Sequence, residues 1–541
     1  MARIVLVLSG EVGAGKSTLA NELCRRYDGH RISTHDLLVA HLGPGTPEER
    51  GALQDAGERL DRRTGGSWVR AQAQAVIANL PEDALVIIDS IRIQGQLEAL
   101  RGAYGERVVH VHLTAPIEVL TARYAKRQRT SSFQEFDAYE QVRANATEAH
   151  VESLQLDADV AINTDRCTAE DVVARAASHL GLNGRDTGPL VDIVIGGEYG
   201  SEGKGNVCYY LRREYDLLVR VGGPNAGHMV PRAEGDPFKH QLLPSGTWNS
   251  SAKLLIGPGA VLDLDVLLKE IAECKVDYHR LSIDPQALII TATDKRVEAK
   301  RGGVVEKISS TGSGTGAATA RRILSRGAPV KLVRDVPALE PYCRPALDIL
   351  EDAYSAGHRI MLEGTQGTML SLYHGDYPFV TSRDTTAAGC LAEAGISPRR
   401  VRKIVLVCRT YPIRVGDPPG GTGTSGRMRQ PLNWSEIARR SGLSAASLRK
   451  VERGTVSGKR RRVAEFDWVM LRKAAQLNGP TDIALTFVDY LHKDNRDARR
   501  FDRLHPDTIQ FIDEVERVAG APVSLISTRF HPRSIIDRRN W

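Results

Sequence analysis

Twice in this chain a mostly apolar five-residue run gives way to a glycine-rich loop, a lysine and a further apolar stretch. Ile4–Leu8 precedes Gly10-Glu11-Val12-Gly13-Ala14-Gly15-Lys16-Ser17, and Val191–Ile195 precedes Gly196-Gly197-Glu198-Tyr199-Gly200-Ser201-Glu202-Gly203-Lys204-Gly205-Asn206. A strand followed by such a loop turns backbone N–H groups and a helix N-terminus toward phosphate. Two such openings in 541 residues, too many for one ordinary core, predict two α/β domains. The polar, Gly/Pro-punctuated stretch Gly181–Pro189 reads as a connector. The expected layout is a domain over 1–182, a linker over 183–189 and a second domain over 190–541.

In the first half Ile4–Leu8, Leu85–Asp89, Val108–Leu113 and Val160–Asn163 read as short buried strands spaced by helical segments, predicting a doubly wound parallel sheet. In the second half Lys253–Ile256, Ala287–Ile290, Met361–Glu363, Lys403–Cys408 and Asp482–Thr486 read as strands, again α/β. Aromatic residues make up 5%, which argues against a base-stacking nucleic-acid platform; the net charge of +7 suits small anionic substrates at least as well. Seven cysteines without a CxxC pair suggest neither disulfides nor zinc and fit a reducing, cytoplasmic setting. No apolar run approaches the ~20 residues that span a bilayer, and the start MARIVLVLSG reads as a strand, not a signal peptide.

Gly10–Ser17 fits G-x-x-x-x-G-K-[ST] between strand and helix, so Gly10, Gly13, Gly15, Lys16, Ser17 and the adjoining Thr18 are expected to hold a nucleoside triphosphate, with Ser17 on Mg²⁺. Arg31–Leu38, with Asp36, resembles the acceptor stretch of nucleoside-monophosphate kinases. Asp89 and Arg92 resemble the same kinases' second acidic segment, and Arg123, Arg127 and Arg129 stand where those kinases carry a lid. A solvated arginine-rich helix is the alternative for that last stretch.

From Val191 onward the chain resembles adenylosuccinate synthetase through many ordered motifs. They include Gly200–Gly205, Gly222-Gly223-Pro224-Asn225-Ala226-Gly227-His228, Ser310–Gly316, Glu363–Gly367, His374–Ser382, Ser457–Arg462 and Leu485–Asp489. The resemblance implies that the 6-oxygen of a purine monophosphate is phosphorylated and then displaced by the amine of L-aspartate. It implies that His228 donates to the γ-phosphate, that Lys204 and the loop Gly200, Ser201, Glu202, Gly203, Gly205 bind phosphates, and that the Gly227 carbonyl helps hold Mg²⁺. It gives Asn225, Ser310, Thr311, Gln366 and Thr381 to the purine nucleotide, and Ser457 and Arg461 to the aspartate carboxylates, where an arginine fork fits. Lys459 stands where the family usually has arginine. A homodimer is implied as well, with Ser325 and Arg326 at the place of an arginine donated by the partner.

The ordinary family carries aspartate where Ser201 stands, accepting the N1 proton of hypoxanthine. Serine is shorter and uncharged and leaves space for a 2-amino group beside N1. The same change marks phage-type members that use dGMP and make N6-succino-2-amino-2′-deoxyadenylate, so dGMP or GMP is the expected substrate. The family's donor-base segments appear as Thr486-Phe487-Val488-Asp489 and Ser527-Thr528-Arg529. Phe487 replaces lysine and Arg529 replaces glycine, which favours ATP or dATP over GTP, with Asp489, Ser527 and Thr528 at the donor base. Asn433–Leu448 reads as a helix-turn-helix, but synthetase motifs crowd both sides of it. The rival readings are an ordinary synthetase on IMP with GTP and a fused regulatory P-loop ATPase, or a nucleotide- or DNA-sensing protein.

Overall fold

The computed structural model describes residues 4–43, 50–128, 138–144, 148, 150–182, 188–232, 236–327, 329–418, 423–454, 456, 458–531 and 533–541. The chain divides into two compact units, Met1–Arg185 and Asp186–Trp541. Most of the expected linker, Arg129 and Ser457 lie outside the described residues.

In the first unit five parallel strands stand in the order His30–Ser33, Leu85–Asp89, Ile4–Gly10, Val108–Thr114, Val160–Asn163. The central strand needs apolar residues on both faces because helices cover both. Leu6 and Leu8 join one core with Leu19 and Leu23 of the helix Lys16–Tyr27, while Val5 and Val7 join another with Trp68 and Leu97. The edge strand His30–Ser33, which carries only one buried residue, was read in sequence as part of an acceptor segment and gave no strand signal.

The second unit is built on a nine-stranded sheet. Its order is Leu281–Ile283, Lys253–Ile256, Leu217–Arg220, Ile360–Glu363, Val191–Gly196, Val401–Arg409, Asp482–Thr486, Val523–Ser527, Ile535–Asp537, all parallel except the last pairing. The expected strand at Ala287–Ile290 belongs elsewhere: Leu288–Ile289 pairs with Val261–Leu262 in a separate two-stranded sheet. Six strands of the main sheet end on a polar or charged residue, and five of these, Arg220, Glu363, Arg409, Thr486 and Ser527, are buried. The carboxyl ends of the strands are where open α/β sheets form their clefts.

The helix-turn-helix pattern is a real helix pair, Trp434–Ser441 and Ala445–Val451, turned by Gly442 at φ 75°. Its apolar residues Trp434, Ile437 and Leu448 pack with Tyr411, Ile413, Val463 and Tyr490, so the pair is a buttress of the second unit. Among the described residues no helix is long and apolar enough to cross a membrane.

Candidate functional site

The strand Val191–Gly196 runs into a loop that ends at Gly203 (φ 97°), where the helix Lys204–Leu211 begins. The loop's carboxylates turn inward. Glu202 accepts N–H groups from Gly200 at 2.7 Å and Glu198 at 3.2 Å, and accepts from Lys204 Nζ at 2.5 Å, with both side chains buried. Gly367 makes this possible, since a Cβ there would lie 2.3 Å from Glu202 Oε1. Burial, with the adjacent Glu202 charge adding to it, pushes the Glu198 carboxyl well above the carboxylate range. Ser201 is thus the loop's exposed polar side chain. It sits at φ 60°, and its Oγ accepts from Arg461 Nη2 at 3.2 Å while its carbonyl accepts from Arg409 Nη1 at 3.3 Å. Glu452 ties the two guanidiniums together, at 2.8 Å from Arg409 and 2.9 Å from Arg461. Burial alone would raise the Glu452 carboxyl; Arg409 and Arg461 reverse this and hold it at about 2.

Below the loop, Glu363 and Arg220 end neighbouring strands and pair at 2.7 Å. Glu363 also accepts from Ser245 N at 2.7 Å and Ser245 Oγ at 2.5 Å, and it is hydrogen-bonded to His228 Nδ1. Burial opposes the Glu363 charge, but Arg220 and then His228 hold its carboxyl below the usual range. The carboxylate therefore fixes the Nδ1–H tautomer and leaves Nε2 for the cavity that His228 lines. Burial, reinforced by the Arg220 charge, brings the His228 pKa down to about 4, so the ring is neutral at pH 7.

That cavity, of about 1140 Å³, brings Ser201, Gly227, His228 and Arg461 together with Asn225, Gln366 and Thr381 and with Ser310 and Thr311. Thr381 Oγ1 accepts from Gln366 Nε2 at 2.9 Å and lies 3.5 Å from Asn225 Nδ2. Gln366 is held at φ 65°, and its buried Oε1 has no partner among the described residues. Lys459 donates to Ser309 Oγ at 3.0 Å, beside the cavity wall.

In the first unit Gly10, Gly13 and Gly15 all have positive φ, and a Cβ on Gly10 would lie 2.1 Å from the Leu113 carbonyl oxygen. Lys16 Nζ donates to the Gly10 and Glu11 carbonyls at 2.6 and 2.8 Å. Ser17 Oγ donates to Asp89 Oδ2 at 3.1 Å, and Arg31 grips the same oxygen from Nε (3.0 Å) and Nη2 (2.5 Å). Asp89 Oδ1 is buried without a partner among the described residues, which with the Ser17 hydroxyl fits a divalent cation. Arg123 holds the Thr164 carbonyl at 2.9 Å and approaches the Gly13 carbonyl at 3.3 Å. Arg92 pairs with Glu148, Asp36 is exposed on the rim, and Thr18 lines the same cavity of about 730 Å³. Arg127 falls on the helix Ile117–Gln128, its side chain outside the described residues.

Comparison with known proteins decides the family of the second unit. The adenylosuccinate synthetase profile matches residues 193–340 and 330–496. Over 354 residues, 64% of this chain, the protein is 39% identical to the adenylosuccinate synthetase of Pyrococcus horikoshii, of which 98% is covered. The chain belongs to the adenylosuccinate synthetase family. The enzyme from Methanocaldococcus jannaschii is 38% identical over 96% of its length. Among solved structures, the adenylosuccinate synthetase of Plasmodium falciparum superposes with a TM-score of 0.57 at 19% identity, covering 65% of this chain and all of that one. The succinoaminodeoxyadenylate synthetase of cyanophage S-2L, bound to dGMP with dATP as energy donor, gives 0.54 at 26% identity, covering 65% of this chain and 96% of that one. An AAA-domain profile matches residues 5–155. The chain is therefore a C–N bond-forming ligase of the adenylosuccinate synthetase family, fused to a P-loop-kinase-like unit.

For the synthetase unit the structure gathers the residues expected at the purine monophosphate and separates them from those expected at the donor base. Asp489, Ser527 and Thr528 do not line the large cavity. Ser527 Oγ accepts from Asn206 Nδ2 at 3.3 Å, and Thr528 Oγ1 donates to the Ser534 carbonyl at 3.2 Å. Burial pushes Asp489 up to about 7. Phe487 packs its ring 4.0 Å from the Arg409 guanidinium, and Arg529 pairs with Asp497 at 3.3 Å. The sequence reading gave no role to four positioning residues: Glu363, which it named only within a motif, and Arg220, Arg409 and Glu452. Three of them are ionisable residues at the last position of an apolar strand, which was the available signal; Glu452 gave none.

Proposed function

We propose that the synthetase unit joins L-aspartate to C6 of a purine monophosphate bearing a 2-amino group, dGMP or GMP. In this reading ATP or dATP is the phosphate donor, and the first unit is a kinase of a small molecule or nucleotide. The observation that carries the ligase reading is Ser201. Both neighbouring carboxylates, Glu198 and Glu202, are turned into the protein, so the loop offers the purine a hydroxyl and no negative charge. The likeness to the cyanophage S-2L enzyme, which binds dGMP and dATP, supports the same substrate class.

The chain's residues divide the work. Asn225, Thr381 and Gln366 orient the nucleotide, and Arg461 receives an aspartate carboxylate. His228 gains a proton at Nε2 when a phosphate dianion arrives and donates it to the transferring group, with the Glu363 carboxylate supporting the imidazolium. Mg²⁺, when bound, would neutralise charge on the triphosphate. In the kinase unit Ser17 and Asp89 would hold it; in the synthetase unit the Gly227 carbonyl and the Ser201 hydroxyl would hold it, with Glu198 and Glu202 of the loop turned away. Incubation with ATP, L-aspartate and each of IMP, GMP and dGMP should give phosphate and a succinylated product with GMP or dGMP. Product with IMP alone, and with GTP only, would favour the ordinary synthetase.

The family resemblance also leads us to expect a homodimer, with the region of Ser325 and Arg326 completing the partner's nucleotide site. Sedimentation of the active protein should give a dimer; a strictly monomeric, fully active species contradicts it.

A further inference from the structure

Resting on the reading of the first unit as a kinase, we infer that its acceptor is a nucleoside monophosphate whose base is a 2-aminopurine, read by Asp61 and Gln54. The helix Arg50–Thr64 turns one face toward the 730 Å³ cavity, carrying Gln54, Gly57 and Asp61. Gly57 sits in the helix interior, where glycine is less favourable than alanine. Its φ is not positive, and a Cβ would meet nothing nearer than Leu38 Cδ2 at 3.5 Å. No turn or close approach within the protein requires the glycine; what it keeps open is the cavity, beside Leu38 and Trp68, where a flat ring can lie.

The polar groups on this wall match one base edge. Asp61 is buried, and its Oδ1 accepts from Trp68 Nε1 at 2.6 Å and Gln96 Nε2 at 2.9 Å. Among the described residues its Oδ2 has only the longer contact to Gln96 Nε2 at 3.1 Å, which leaves acceptor capacity on a carboxylate facing the cavity. Gln96 is fixed in turn by the Arg92 N–H, which donates to its Oε1 at 2.8 Å. Gln54 has neither Nε2 nor Oε1 partnered among the described residues. A carboxylate acceptor beside an amide matches the edge of guanine, where N1–H and the 2-amino group donate side by side next to the accepting 6-oxygen, and that of 2,6-diaminopurine, with an amine on each side of N1; adenine offers one amine, at C6, and no 2-amino group. Hypoxanthine lacks that amine. Arg92 and Arg31, each steadied by a carboxylate, supply the anionic end. In the transfer the bond between the γ-phosphorus and the β–γ bridging oxygen of ATP breaks, a new P–O bond forms to the acceptor's phosphate dianion, and ADP leaves; no proton need move. Both units would then handle the purine class for which Ser201 leaves room.

The test uses the full chain with ATP and Mg²⁺, without aspartate, on dGMP, 2-amino-2′-deoxyadenylate, dIMP, dAMP and dTMP, following nucleoside diphosphate formation. The two 2-amino purines should exceed dIMP and dAMP in kcat/KM by about 30-fold or more, since an unpaired buried group penalises the analogue lacking its partner. Asp61→Asn should cut that ratio about tenfold, mainly through KM. Gln54→Leu removes a side-chain amide with no partner among the described residues and should weaken dGMP binding without lowering the unfolding temperature, so a misfolded Asp61 variant leaves the test intact. Wild-type use of dIMP within threefold of dGMP, or an unchanged ratio in both folded variants, overturns the inference. Transfer to dTMP alone overturns it but keeps the kinase; no transfer to any acceptor removes both.

Discussion

At the scale of single residues, His228 and His240 face each other across a short antiparallel pair, His228–Val230 with Phe238–His240. Burial lowers His240 to about 3, and neither of its ring nitrogens has a partner among the described residues. Unfolded histidines titrate near 6.5. At these two rings the unfolded chain binds more protons than the folded one between pH 6.5 and about 4, so their contribution to stability rises with pH across that window and then levels off, while Glu198 and Asp489, which burial keeps protonated in the fold, contribute with the opposite sign. Denaturant unfolding of wild type against His240→Leu should isolate a histidine contribution of about 2–3 kcal/mol per ring between pH 7.5 and 4.5. His240→Leu, outside the catalytic set, should remove about half of that histidine-derived slope; an unchanged slope contradicts the assignment. Ser201, His228 and Lys16 were legible in sequence because each sits in a short motif beside its glycines. The Arg409–Glu452–Arg461 tie was not, because residues far apart in sequence meet only through the fold.

At the scale of elements, the strands were legible wherever a buried run was continuous, as in Leu85–Asp89 and Asp482–Thr486. Leu288–Ile289 was assigned correctly as a strand, but periodicity does not say which sheet a two-residue strand joins. The loop Gly196–Gly203 depends on a second element, since Gly367 lets Glu202 lie inside it. Gly367→Ala would place a Cβ 2.4 Å from the Glu198 carbonyl and 2.6 Å from the Gly200 nitrogen. It should destabilise the synthetase unit by about 1–3 kcal/mol and lower ligation more than tenfold, with phosphoryl transfer by the first unit unchanged. Ligation at wild-type rate would show that the loop tolerates displacement.

At the scale of the whole molecule, two glycine-rich loops occupy two compact units, each with its own sheet and cavity. Lys16→Ala should therefore remove kinase activity and leave succinyl-nucleotide synthesis within a few-fold; joint loss would mean that the P-loop feeds the second site. The central claim rests on one loop position, and the ratio of kcat/KM for dGMP to that for IMP tests it most directly. Ser201→Asp would set a carboxylate against the exocyclic 2-amino group, within reach of Arg461. Wild type should prefer dGMP, and Ser201→Asp should lower that ratio by at least tenfold. A wild type that prefers IMP, with a ratio unmoved by Ser201→Asp, would contradict the account.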